Sequence, residues 1–338
     1  MDFSCRHLSR GDGISLLWGA AQRTYRCADE GGECMSGMHR DRMTPPSQNK
    51  RRSRIRTTIQ LLSALFLNGY AVGFAKGKIF TGNSKSVCVP VLNCYSCPGA
   101  VGSCPIGAMQ NAIGARHQIP FYVLGSVMLF GLIMGRLICG FLCPFGFLQD
   151  ILYKIPLEKP AVPERVDRVG RKGKYAVLLL MVILLPAFAR GSTGIAPPFF
   201  CKYFCPAGTL EAGIPLVLTN PALRSLTGLL FHWKVIVLIV IVAGSIFISR
   251  FFCRYFCPLG ALYSLFNRFS FYQMNIDREK CVGCGTCRSV CPMDVDVVKD
   301  PNNGECIRCG KCRATCPTNA LDGGFRWKVS ETEIASKY

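Results

Sequence analysis

The chain is short of acid. Its 338 residues carry 20 Asp plus Glu against 40 Lys plus Arg, a net charge of +20, and only 18% of positions are charged. Histidine is scarce as well: His7, His39, His117 and His232 are the only four, and none lies in the uncharged core of an apolar run. A bis-histidine haem would need two facing histidines in such runs, so no haem is expected. The apolar runs hold almost no Asp or Glu, which argues against an ion pathway. There is no G-x-x-x-x-G-K-S/T loop and no G-x-G-x-x-G turn, so any flavin or nicotinamide must come from another protein. Gly and Pro form no short repeat, which excludes a collagen-like fibre. Half of the residues are apolar, which excludes a disordered chain. What the chain has in excess is cysteine, 21 in all.

Residues 1–49 carry no sustained periodicity and no apolar signal-peptide core, and Cys5, Cys27 and Cys34 match no metal spacing. They are expected to be a disordered leader, or an over-extended gene start with Met38 or Met43 as initiator. From Lys50 five basic residues in seven lead into nineteen uncharged ones, Thr57 to Ala75, enough to cross about 30 Å of hydrocarbon. Further apolar runs cover Gln118 to Gly135, Tyr175 to Ala189 and Val235 to Ser249. The fold expected is mainly α, with about four transmembrane helices over residues 50–275, a small α+β dicluster ferredoxin-like domain over 276–322 and a tail from 323 to 338.

Basic residues set the orientation. Seven lie between Lys154 and Lys174, and Arg250, Arg254 and Arg268 follow the fourth run, whereas Gly191 to Trp233 holds only Lys202 and Arg224. Both termini are therefore expected in the cytoplasm, in a multi-pass protein of the inner membrane. Because the charge brackets apolar runs instead of forming one basic face, nucleic acid is not an expected partner.

The strongest motif is Cys281-x2-Cys284-x2-Cys287-x3-Cys291-Pro292 followed by Cys306-x2-Cys309-x2-Cys312-x3-Cys316-Pro317. In this spacing three close cysteines hold one cubane and the fourth ligates the other. Cluster 1 would use Cys281, Cys284, Cys287 and Cys316; cluster 2 would use Cys306, Cys309, Cys312 and Cys291. Gly283, Gly285 and Gly310 relieve crowding in the tight turns, and the prolines stop each run. A zinc ribbon has two cysteine pairs, not two runs of four.

A second pattern is Cys-x3-Cys-Pro. Arg136-x2-Cys139-x3-Cys143-Pro144-x-Gly146 and Arg250-x2-Cys253-x3-Cys257-Pro258-x-Gly260 align at an offset of 114, an internal repeat. With cysteines four apart on one helical face, two such helices would offer four thiolates, an inner site. A third copy, Cys201-x3-Cys205-Pro206-x-Gly208, falls in the opposite loop with Cys88, Cys94, Cys97 and Cys104. These six form an outer set that either ligates a further cluster or works as disulfides or an exchangeable dithiol. Small buried cysteines with no ligand are the bland reading for both sets.

The C-terminal stretch resembles the bacterial dicluster ferredoxins. Residues 50 to 322, taken together, resemble the polyferredoxin membrane proteins of the NapH and NosR type, with the third motif copy and the Cys94-x2-Cys97-Pro98 loop as departures. The resemblance implies one-electron transfer from membrane quinol to soluble or peripheral partners. The expected function is an integral-membrane iron–sulfur electron-transfer protein. It would hold two [4Fe-4S] clusters, with one or two more at the membrane boundary. Membrane lipid, quinone and a redox partner (a ferredoxin, flavoprotein or reductase subunit) are the expected partners. The chain would carry electrons within an oxidoreductase complex and has no catalytic residue of its own. The alternative is a redox sensor, or an assembly factor for a partner metalloenzyme. His117 reads as a loop histidine in preference to a quinone ligand.

Overall fold

The computed structural model describes residues 46–116, 119–160, 162–189 and 195–325. Cys5, Cys27, Cys34, His7, His39, His117 and residues 326–338 lie outside the described residues. The described chain is mostly helical, with one two-stranded sheet.

The four apolar runs fold differently from one another. Leu229–Phe247 is a continuous helix of 19 residues, and among the described residues it is the one helix long and apolar enough to cross a membrane. Only 17% of its apolar window is covered by the rest of the protein. Pro46–Leu67 forms a 22-residue helix that includes the basic residues ahead of the first run. Phe121–Met134 stops after 14 residues, about 21 Å at 1.5 Å per residue and short of a full crossing. It ends at Gly135 with φ +56°, where a Cβ would stand 2.6 Å from Asn267 Oδ1. The third run is wound as Gly173–Val177, a π-helical stretch Leu178–Leu184 and Leu185–Phe188. The π turns lead straight into Pro186, which has no N–H for the ladder. The π stretch Thr209–Gly213 likewise runs into Pro215.

The sheet pairs β1 (Tyr272–Ile276) with β2 (Leu321–Phe325) antiparallel, Tyr272 opposite Phe325 and Ile276 opposite Leu321. Between the strands the cysteine-rich segment folds over its own small core, in which Met274, Met293, Val297 and Ile307 are almost fully buried. This module sits directly on the helical part. Cys139 packs against both cores. A Cβ on Gly140 would run into the carbonyl oxygen of Ile307, so only glycine allows that approach. The buried Arg308 donates to Met134 O at 3.2 Å and Ser270 Oγ at 2.6 Å, across the same seam.

Several of the basic residues that sequence reading placed in loops turn inward. Arg250 is fully buried and bonds Asp150 at 2.9 and 2.7 Å. Arg254, 5% exposed, bonds Asp167 at 2.6 Å. Burial alone would raise the Asp167 carboxyl, but hydrogen bonds from Arg254, Arg171 and Tyr255 outweigh it and lower it to about 2. Arg171 also reaches Met293 O at 2.7 Å, tying this loop to the cysteine-rich module. A buried guanidinium needs such a carboxylate to offset its desolvation, which charge counting along the chain does not register.

Candidate metal centres

In the cysteine-rich module, Cys291, Cys306, Cys309 and Cys312 line one pocket together with Met274, Val297 and Ile307. These are the four residues that spacing assigned to cluster 2. Backbone N–H groups of Arg308 and Val295 point at Cys306 Sγ and Cys291 Sγ, both at 3.4 Å. In the other set, Cys281, Cys284 and Cys287 share one turn, with Gly283 and Gly285 at φ +66° and +68°. Cys316 packs against the same small core as Cys287. Cys284 is exposed. Among the described residues no three His, Cys, Asp or Glu groups stand as close as one metal ion requires. A tetrahedral zinc would draw its sulfurs to within about 4 Å of each other, whereas a cubane takes one thiolate at each of four separated irons.

The inner four converge. Cys257 lies within electrostatic range of Cys253, Cys139 and Cys143, and Cys143 of Cys253 and Cys139. Spacing suggested that each pair shares one helical face, and here the structure differs. Cys139 lies in the short helix Leu137–Phe141, while Cys143 has extended backbone and caps the next helix, Pro144–Leu152. Cys253 and Cys257 repeat this with Phe251–Tyr255 and Pro258–Phe266. The proline after the second cysteine disfavours helical backbone there and opens a new helix at its first position. The cysteine sulfur then accepts an N–H of the new helix: Gly260 N donates to Cys257 Sγ at 3.3 Å. A helix N-terminus favours a thiolate at that place.

The two repeats also exchange arginines. Arg136 donates to Cys253 O at 3.4 Å, and Arg250 donates to Cys139 O at 2.5 Å. Arg250 finds its acid inside its partner repeat, at Asp150. The position matching Asp150 in the second repeat is Ser264, and the acid for Arg136 comes instead from Glu305 of the cysteine-rich module, at 2.9 Å. Lys174 pairs with the same Glu305.

Of the outer six, Cys94, Cys104, Cys201 and Cys205 gather. Cys205 lies within range of Cys201, Cys94 and Cys104, and Cys201 of Cys104 and Cys94. Cys97 is adjacent to Cys94, with its Sγ 3.6 Å from Asn68 Oδ1. Cys88 lies within range of Cys104, and its N–H donates to Tyr122 Oη at 3.3 Å. A Cβ on Gly208 would lie 3.6 Å from Cys94 Sγ, and one on Gly107 would lie 3.7 Å from Cys201 Sγ. These glycines leave open the space that the sulfurs face. Burial pushes the Cys94 and Cys201 thiols up to about 12, so a thiolate set here calls for adjacent cationic iron. Burial raises Glu211 to about 7, against the Cys94 N–H that it accepts at 2.8 Å.

Sequence reading passed over one member of the pattern. Cys104-Pro105-x-Gly107 begins the helix Pro105–Arg116 as Cys143-Pro144-x-Gly146, Cys205-Pro206-x-Gly208 and Cys257-Pro258-x-Gly260 begin theirs. The shared Cys-Pro-x-Gly, shorter than the six-residue Cys-x3-Cys-Pro, was the available signal. Each site therefore takes two copies: 143 with 257, and 104 with 205.

Known protein families match much of this part of the chain. Residues 116–163, 176–214 and 230–276 match a 4Fe-4S binding domain family, which takes in the three Cys-x3-Cys-Pro copies. Residues 273–317 match a 4Fe-4S dicluster domain family. These matches make the chain similar to iron–sulfur proteins of the ferredoxin type. An uncharacterized protein of Methanocaldococcus jannaschii is 33% identical over 51% of this chain and 65% of its own length. The methylamine utilization ferredoxin-type protein MauN of Paracoccus denitrificans is 27% identical over 57% of this chain and 62% of its own. The ferredoxin-type protein NapH of Haemophilus influenzae is 24% identical over 72% of this chain and 74% of its own. The chain thus spans less than two thirds of the first two. The chain is thus similar to polyferredoxins of the NapH type. No solved structure matches it.

Proposed function

We propose that the protein is an integral-membrane electron carrier. It would pass single electrons between a membrane quinol or outer-side redox partner and a cytoplasmic partner. The ferredoxin module would hold two clusters, the inner quartet a third, and the outer cysteines a fourth. Bound cubanes supply one-electron storage at potentials the protein tunes.

The observation that carries this reading is contiguity. Cys139 of the inner quartet packs on the module core beside Ile307, flanked by Cys306 and Cys309. On the other side, Phe204 and Phe256, each preceding a Cys-Pro cysteine, have ring centroids 5.5 Å apart. Tyr263, fully buried, lies within electrostatic range of Cys139 and Cys143 and also of Cys88 and Cys104. Along the Leu229–Phe247 helix, Trp233 bonds Tyr203 O beside the outer set and Ser245 bonds Gln149 beside the inner one. Those positions are twelve residues apart, about 18 Å. The two sets are thus closer together than the faces of a bilayer. At the far end, exposed Cys284 beside half-exposed Val282 offers a contact point for a soluble carrier.

Exposed apolar side chains support membrane insertion. Leu62, Leu65 and Phe66, then Phe121 and Leu129, Leu179 and Leu180, Ile236 and Ile239 are all more than half exposed, one group on each apolar run. A soluble protein rarely leaves such a surface uncovered. In this reading each of these groups marks one span, the short 121–134 helix included, with both termini in the cytoplasm as the basic loops direct.

Iron and acid-labile sulfide per chain, measured on anaerobically purified protein, test the sites. About sixteen irons are expected at four per cubane, and about eight would reduce the protein to its ferredoxin module. In proteoliposomes, quinol or an outside donor should reduce an inside acceptor at turnover rates. Rates no faster than cluster-free protein would leave the sensor or assembly reading in place.

A further inference from the structure

We infer that Gln149 and Gln110 are positioning residues of the inner and outer sites. Each fixes one ligand thiolate through its amide N–H and sets the potential at which that site accepts its electron. The inference rests on the cluster-binding reading above.

The two glutamines occupy the same place in the repeat, six residues after Cys143 and Cys104. Both are buried, 1% and 0% exposed. Their contacts match atom for atom. Gln149 Oε1 accepts the Phe252 N–H at 3.0 Å, and Gln110 Oε1 accepts the Phe200 N–H at 2.9 Å. Gln149 Nε2 lies 3.1 Å from Cys253 Sγ, and Gln110 Nε2 lies 3.4 Å from Cys201 Sγ. A backbone N–H can only donate, so it dictates which amide atom is oxygen, and the nitrogen must then face sulfur. The remaining amide hydrogen goes to the carbonyl four residues back, Phe145 O at 3.4 Å and Ile106 O at 3.2 Å.

A merely helical glutamine would satisfy that i−4 carbonyl and stop there. Here the side chain crosses to the partner repeat and takes both the sulfur and the N–H of the residue before it. The other two copies carry Glu211 and Tyr263 at the matching position, and these bond backbone groups, Cys94 N and Pro90 O. Each site therefore has one glutamine–sulfur contact. An N–H donor to a ligand sulfur favours the more negative, reduced state, so removing it lowers the potential.

The full chain, purified anaerobically, is titrated with dithionite and mediators under EPR. The variants are Gln149→Met, Gln149→Glu and Gln110→Met, with iron counted for each. Gln149→Met removes donor and acceptor without adding charge, so its shift reads the lost donor; Gln149→Glu keeps an acceptor for Phe252 N–H but puts a carboxyl in place of the donor, so it tests whether the fold and the iron survive. The expected result is unchanged iron and one cluster whose oxidised-to-reduced ratio shifts about tenfold, about 59 mV for one electron. Gln110→Met should shift a different cluster. If Gln149→Met sheds four irons while Gln149→Glu keeps them, the assignment stands on the potential shift of Gln110→Met. Unmoved potentials with full iron overturn it, as does loss of iron in both Gln149 variants. A wild-type chain with eight irons fails the cluster reading itself, and the inference falls with it.

Discussion

The inner and outer cysteine sets share a backbone plan and differ in charge. Each is built from two Cys-Pro-x-Gly turns facing one another, with a glutamine reaching across. Around the inner set lie two fully buried guanidiniums, Arg136 and Arg250, both bonded to cysteine carbonyls. Beside the outer set the charged group is a partly buried carboxyl, Glu211, on the N–H of Cys94. The cations within range there are Lys234, near Cys201, and Lys85, which bonds Ala100 O and whose ammonium burial weakens. A four-thiolate cluster gains negative charge on reduction. Arg136 and Arg250 favour that gain to the extent that Glu305 and Asp150 leave their charge uncancelled, and a carboxyl opposes it. One scaffold used twice thus carries different charged neighbours at its two sites.

The largest effect expected is on composition. Replacing Cys139 and Cys253 together by serine should remove about four irons per chain, read by iron assay, and leave the outer and ferredoxin signals in place. Unchanged iron would dissolve the comparison, since the inner set would then be thiols only. Next comes Arg250→Gln. It breaks a buried pair with Asp150 and should cost about 3–5 kcal/mol, read as a lowered Tm. Where folded protein is recovered, the inner potential should move toward the outer one. Gly140→Ala forces a methyl against Ile307 O and should cost about 1–3 kcal/mol. Its clearest readout is slower reduction of the module clusters from the quinol side, with the outer cluster unaffected. Tyr263→Phe loses the hydrogen bond to Pro90 O and should cost about 1 kcal/mol, with both potentials held. As the small-effect end of the series, Arg168→Ala removes an exposed pair with Glu164 and should change stability by less than about 0.5 kcal/mol.

The parts legible in sequence are those governed by local chain geometry. The eight ferredoxin cysteines were readable because a cubane demands a fixed spacing on one tight turn, and glycines at φ +66°, +68° and +73° mark those turns. The Cys-x3-Cys-Pro repeat was readable for the same reason. Apolar runs were readable as composition, yet not as helices. Nothing in the run Gln118 to Gly135 announces that its helix ends at Met134 because Asn267 and Arg308 occupy the next position. The counter-ions were least legible. Glu305 stands 169 residues from Arg136, and Asp150 stands 100 from Arg250. A charge count along the chain therefore assigned Arg250 and Arg254 to loops, although each neutralises a buried acid.

The crossed arginines also impose an order on biosynthesis. Cys139 and Cys143 leave the ribosome long before Cys253 and Cys257, and until then the carbonyl of Cys139 lacks the guanidinium that binds it. Arg136 waits longer still, for Glu305. No nascent chain shorter than this can hold the inner quartet in its final shape. A ribosome stalled between the repeats would therefore leave a half-site with two cysteines and an uncompensated arginine.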